Sequence, residues 1–221
     1  MTKEEYCQQF TEDDAVGWDA IASTLEKLYG EQQAEHYGTT IPYILGGEDP
    51  LDGISIYLSH EQEDHYHFVT YGFSELYFDE EAAGKEFSKF GMELTLRLKK
   101  VDADDNKTWV CSLMQNLARY VFDSGNWFDA NHFIPTNSPI RLDSNTDLCG
   151  LAFTVDPQLG KIHTAHGEVQ FLQMIGLTSK EVEYLKQANN QDEVLQLIQR
   201  MQQDNNLLLI TDLQRTHSYL V

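Results

Sequence analysis

The clearest hydrophobic pattern in the chain is a strict alternation over residues 92–98, where Met92, Leu94, Leu96 and Leu98 are interleaved with Glu93, Thr95, Arg97 and then Lys99. A period of two puts successive side chains on opposite faces of a strand, which predicts one face of Met and Leu in the core and one face in water. The aromatic and β-branched run 66–71 predicts a second strand. Gly72 breaks it, at a place suited to a bulge or a close backbone approach. Beyond the break, Ser74 and Glu75 are expected at the surface, with Leu76 and Tyr77 turned inward. Residues 65–77 and 92–98 form the centre around which the other elements are arranged.

Helical spacing dominates elsewhere. Trp18, Ile21, Ala22, Leu25, Leu28 and Tyr29 predict a helix capped by Asp13 or Asp14, anchored on the core by Trp18 and stopped at Gly30. Val110, Leu113, Met114, Leu117, Val121 and Phe122 predict a second, with Thr108 as its cap. Thr178-Ser179-Lys180-Glu181 reads as a capping box that opens a third helix carrying Val182 and Leu185. A fourth carries Val194, Leu197, Ile198 and Met201. Strands are expected at 54–58, 151–155 and 169–175, the last two flanking a turn at Asp156-Pro157, and the apolar run 207–210 reads as a last, central strand.

Between these elements, the apolar run 41–45 meets a turn at Gly46-Gly47-Glu48-Asp49-Pro50, and residues 59–64, 79–88 and 102–107 are polar links. Residues 124–148 read as a long ordered loop with Trp127, Phe128 and Phe133 as isolated apolar anchors. Residues 1–14 predict a frayed acidic arm, leaving 15–221 as one domain. Strands and helices mix without a regular βαβ rhythm, so the expected fold class is α+β, a mixed β-sheet with helices packed on it.

Composition sharpens the picture at one point. Thirty-six acids against fifteen Lys and Arg give a formal charge of -21, which argues against nucleic acid as a partner, because phosphate binding needs a basic footprint. The acids are concentrated: between Leu28 and Gly84 there is no Lys or Arg, while Glu31, Glu35, Glu48, Asp49, Asp52, Glu61, Glu63, Asp64, Glu75, Asp79, Glu80 and Glu81 are all negative. Such a segment repels itself and favours a partner with a basic surface. The first residues lack the pattern of a signal peptide and no run has the length of a membrane span, so the expectation is a cytoplasmic protein with no membrane partner. Cys7, Cys111 and Cys149 are odd in number and widely spaced, which fits a reducing compartment.

Candidate chemistry is sparse. His65 and His67 share one face of a strand and could join His60 or Asp64 around zinc, which defines the alternative reading, a metal-dependent hydrolase. No serine sits in a nucleophile elbow and no cysteine carries a nucleophile signature, so neither an enzyme nor a cofactor is expected.

Several collinear blocks resemble the Suppressor of fused family. They are Gly17-Trp18-Asp19-Ala20-Ile21, Leu45-Gly46-Gly47 with Asp49-Pro50-Leu51-Asp52, His67-Phe68-Val69-Thr70-Tyr71-Gly72-Phe73-Ser74-Glu75-Leu76-Tyr77, Phe90-Gly91-Met92-Glu93-Leu94-Thr95-Leu96-Arg97-Leu98, Leu113-Met114-Gln115-Asn116-Leu117-Ala118-Arg119-Tyr120-Val121-Phe122, Phe171-Leu172-Gln173 and Leu209-Ile210-Thr211-Asp212. The resemblance implies a non-enzymatic protein-binding domain like the N-terminal lobe of Suppressor of fused. The stand-alone form is similar to a bacterial branch proposed as immunity proteins that neutralise toxins. In animal members a short peptide is held as an added strand between two lobes. Carried over residue by residue, that site falls on Phe68, which stands where the family has a tyrosine, and on Asp79, with Glu80 and Glu81 beside it.

Overall fold

The computed structural model describes residues 1–101 and 106–220. Its axis is β4 (Phe87–Lys99), paired antiparallel with β3 (His65–Tyr71) and parallel with β8 (Gly167–Thr178). From β3 the sheet continues through β2 (Gly53–Ser59) to β1 (Glu35–Gly38), and from β8 through β6 (Leu148–Val155) to β5 (Phe133–Pro135). A short β7 (Lys161–Thr164) forms a hairpin with the first half of β8, whose second half pairs with β6. The parallel β4–β8 pair needs a long excursion, and the chain makes it through α3 (Trp109–Ser124) and the antiparallel strands that follow.

Helices cover both faces of this sheet. On one, α3 lays Val110, Met114, Leu117, Ala118 and Val121 against Phe68, Met92, Leu94, Leu96 and Leu98. On the other, Ile21 and Leu25 of α2 (Val16–Tyr29) pack on Val69, Tyr71 and Phe171. Further along that face, α4 (Ser179–Ala188) and α5 (Gln191–Gln203) cover Ala152, Ile175 and Leu177. The expected solvent face of residues 92–98 is therefore a second interior, and Glu93, Thr95 and Arg97 are all fully buried. Alternation identified the strand correctly but not its surroundings, because a polar residue can face an interior when fixed partners meet it there.

Other expectations are also corrected by specific contacts. The first fourteen residues are not frayed: they contain α1 (Lys3–Gln9), capped by a Thr2–Glu5 box and anchored by a fully buried Tyr6. Neither Asp13 nor Asp14 caps α2. The Asp14 carboxylate accepts from the Thr11 amide at 2.7 Å, while the Gly17 and Trp18 amides donate to the Leu76 carbonyl at 2.9 and 3.2 Å. Thr108 stands at the start of α3, but its side chain makes no cap bond there. Trp18 is half-buried, stacked on Tyr71 at 4.3 Å, and Trp127 is 60% exposed. Ser74 is buried and Tyr77 exposed, the reverse of the expected order.

Residues 207–210 form no strand. Leu209 has φ +55, the side-chain amide of Gln173 donates to the Leu208 and Leu209 carbonyls, and a single bridge joins Leu98 to Thr211. The loop expected at 124–148 contains β5, and the polar turn at 102–107 lies mostly outside the described residues.

Candidate functional site

The acidic turn after β3 is positioned from within. At Gly72 the chain leaves the strand with φ +136, and its amide, the Ser74 amide and the Ser74 hydroxyl all donate to one oxygen of Glu93 at 2.7–3.0 Å. Burial pushes the Glu93 carboxyl up. Its other oxygen accepts from Thr70 Oγ1 at 2.6 Å, and Thr70 Oγ1 in turn accepts from the Leu94 amide at 2.8 Å. The Glu75 amide is tied to Ser88 Oγ, and the Leu76 carbonyl takes the first amides of α2. Residues 72–76 are thus held to β4 and α2, and the next residues are delivered to the surface.

There Asp79 organises a tight turn, its side chain accepting from the Glu81 amide at 2.9 Å and its carbonyl from the Ala82 amide at 3.1 Å. Glu80 and Glu81 project from the turn, exposed. Helix α1 lies against them. Lys3 Nζ stands 3.3 Å from Glu80 and also bonds Glu81, and the Tyr6 ring packs on Phe78 with centroids 5.1 Å apart. The Tyr6 oxygen accepts from the Asp79 amide at 3.2 Å and lies 2.7 Å from His166 Nε2. His166 Nδ1 faces the Glu75 carbonyl at 3.2 Å, so neutral His166 donates there and accepts from the Tyr6 hydroxyl. Burial lowers the His166 pKa and favours that neutral form.

Phe68 does not share this surface. It is fully buried in the α3-side core, between Ile56 of β2 and Leu96 of β4, so of the four residues expected at a partner contact only Asp79, Glu80 and Glu81 come together. Tyr6 and His166, which sequence reasoning missed, complete the arrangement. The Thr2–Glu5 capping pattern and a lone tyrosine among polar residues were the available signals for α1.

The histidines of the alternative hydrolase reading are dispersed among separate partners. His60 pairs with Asp64 on an exposed loop at 2.8 Å, and His65 Nδ1 bonds the Glu63 carbonyl at 2.7 Å. His67 has both nitrogens occupied, Nδ1 by the Tyr29 hydroxyl at 2.6 Å and Nε2 by Asp156 at 3.1 Å. Among the described residues no three His, Cys, Asp or Glu side chains gather as a metal site would require.

Asp156 instead joins a buried ion pair. Arg97 Nη1 and Nη2 contact its two oxygens at 2.5 and 3.1 Å, and Arg97 also bonds Gln158 and Gln173. Burial acts to raise the Asp156 carboxyl, but the His67 hydrogen bond and the Arg97 guanidinium outweigh it and hold the group well below the usual carboxylate range. Burial, with Arg97 nearby, lowers His67 to about 4. At neutral pH His67 is therefore uncharged, and the Arg97 charge is what keeps Asp156 ionised.

The acidic span also finds cations from outside itself. Lys3 meets Glu80 and Glu81, Lys99 meets Glu63, Lys107 meets Glu35 and Arg119 meets Asp49. Folding therefore relieves part of the self-repulsion that the sequence suggests. These contacts are largely exposed, and such pairs bind weakly and are screened by salt.

Comparison with known proteins places this geometry in context. The sequence profile of the family described as Suppressor of fused protein (SUFU) matches residues 47–216. The human protein named Suppressor of fused homolog is 36% identical over 210 residues, a match that covers 90% of this chain and 43% of the relative. The mouse homolog gives the same figures, so the chain spans under half the length of these relatives. A solved structure described as the Sufu-Fu complex superposes with a TM-score of 0.83 at 31% identity, covering 93% of each chain. The crystal structure of Drosophila Suppressor of Fused gives 0.81 at 31%, covering 95% of this chain and 52% of the other. A putative homolog from Neisseria gonorrhoeae shares the fold at a TM-score of 0.64 and 12% identity, with 93% and 97% covered.

Proposed function

Because this chain belongs to the Suppressor of fused family, we propose that it is a non-enzymatic protein-binding domain that restrains or neutralises a partner protein through the acidic turn at Asp79, Glu80 and Glu81. The observation that carries the proposal is the turn itself. It is built on backbone bonds to Asp79, offers two exposed carboxylates, and already holds an ammonium group, that of Lys3. A basic surface on the partner suits it. The similar solved structure described as a Sufu-Fu complex, in which the relative is bound to another protein, supports a binding role. Neutralisation of a partner, in the manner of an immunity protein, is the biological form we assign to that binding.

The test is a pull-down from native extract followed by binding kinetics on the recovered protein. Association should slow as salt shortens the screening length from about 10 to 3 Å. Reversing Asp79, Glu80 and Glu81 to lysine should weaken binding through the on-rate, at a cost of about 1–2 kcal/mol in folding stability because the Asp79 bond to the Glu81 amide and the Lys3 contacts are lost with it. A partner bound equally by parent and triple variant, without salt dependence, sinks the acidic-turn assignment.

A further inference from the structure

We propose that α1 is a displaceable strap: Lys3 and Tyr6 occupy, within the chain, the seats that a basic and an aromatic side chain of a partner take when α1 is displaced. The functional half of this inference rests on the reading that the acidic turn meets a partner. The structural half stands on the contacts of α1 alone.

Lys3 and Tyr6 are three residues apart and therefore lie on one helical face. That face meets the body at two points of different character. At the first, the Lys3 ammonium reaches Glu80 and Glu81 with 45% of the lysine side chain and 50% and 75% of the glutamate side chains exposed, a contact open to exchange with another cation. At the second, the Tyr6 side chain is fully buried against Phe78 and His166, and its hydroxyl oxygen accepts from the Asp79 amide. The Asp79 backbone that shapes the acidic turn thus also receives the aromatic anchor.

The start of the chain is accommodated as well, since a Cβ on Gly84 would stand 2.2 Å from the Met1 carbonyl. A glycine there lets the strap cross closely. Seven residues make too short a helix to persist in water by itself, so α1 depends on this seat for its order. The same seat defines the ligand, a helical segment with a lysine or arginine one turn before a tyrosine or similar aromatic. The tethered copy competes with it at high effective concentration.

The probe is a fluorescent synthetic peptide of residues 1–11, titrated into the full-length chain. The parent should bind it at least tenfold more weakly than Tyr6→Ala, in which the tethered copy has lost its anchor and the seat is open. Adding Glu80→Lys and Glu81→Lys to Tyr6→Ala should reverse that gain by at least tenfold. Should Tyr6→Ala fail to fold, Lys3→Glu alters only an exposed side chain. It should bind the peptide several-fold more tightly than the parent, with faster amide exchange at residues 6–10. Equal peptide affinities in the parent and the released variant overturn the strap, whatever the partner does. A partner indifferent to the triple-lysine change, alongside peptide affinities that differ as expected, overturns the acidic-turn assignment and upholds the strap.

Discussion

A few single positions decide where the acidic turn sits, and Gly72 is foremost among them. Its φ of +136 is closed to side-chain-bearing residues, and a Cβ there would stand 3.0 Å from Leu51 Cα and 3.1 Å from the Asp52 amide. Gly72→Val should therefore cost about 2 kcal/mol or more through strain and overpacking, read as a lower denaturant midpoint. An unchanged midpoint would show that the backbone adapts at no cost. Glu93 acts at the same scale by gathering three donors from residues 72–74, and this explains how an acid within an alternating strand can be fully buried. Arg97 and Asp156 are a harder case, because a buried ion pair is weak support for stability yet costly to break on one side. Their polar chemistry was visible in the sequence. Their partnership was not, since 59 residues separate them and alternation alone says nothing of what covers a face.

At the scale of elements, α2 shows how one helix is joined to the site. Its first amides are satisfied by the Leu76 carbonyl instead of an aspartate, and the approach is so close that a Cβ on Gly17 would stand 1.9 Å from the Glu75 carbonyl oxygen. Alanine is the better helix former by about 1 kcal/mol, so propensity alone predicts that Gly17→Ala stabilises. The contact predicts the opposite, a net loss of about 1–3 kcal/mol as α2 is pushed from residues 75–76. Circular dichroism melts of the two proteins decide between them, and a raised midpoint in the variant rejects this account of the helix start. The helices α2 to α5 and the strand β4 were legible from the regular spacing of their apolar residues, and β2, β3, β6 and β8 from short apolar, aromatic or β-branched runs. The short edge strands β1, β5 and β7 have at most four residues and no buried face, which leaves little periodicity to detect. The apolar run 207–210 misled for the converse reason. Leu208, Leu209 and Ile210 are buried, but an irregular backbone, held by Gln173 and Asn206, takes them there. Charge marked the acidic span and the family resemblance marked Asp79 within it, whereas the helix lying on it depended on a capping pattern, one tyrosine and a distant histidine.

Across the whole molecule, acidity and buried histidine combine to set how stability responds to pH. His67 is the strongest case, completely buried and lowered to about 4 from an ordinary 6.5, and burial also lowers His36, His65 and His166. For a group with a depressed value, the unfolded chain takes up the proton first as pH falls. Its stabilising contribution is therefore complete above about pH 6.5 and is lost progressively on the way down to about 4. Over that interval His67 alone accounts for about 3 kcal/mol. Glu93 and Asp52 act in the opposite sense, because burial raises both, so their contribution is full below the unfolded value and fades as pH rises. Asp156, held low, adds a further loss only below its unfolded value of 3.8. The expected profile is thus a fall in stability from about pH 6.5 to 4, steepened by four histidines and tempered by two carboxyls. His67→Gln isolates the main contribution, since a glutamine amide can donate to Asp156 and its carbonyl can accept from Tyr29 without titrating. Urea midpoints measured from pH 7.5 to 4.5 should decline less steeply for this variant than for the parent. Parallel declines would show that protonation of His67 is not what the folded state resists, and would shift the acid sensitivity to the exposed carboxylates and their cations.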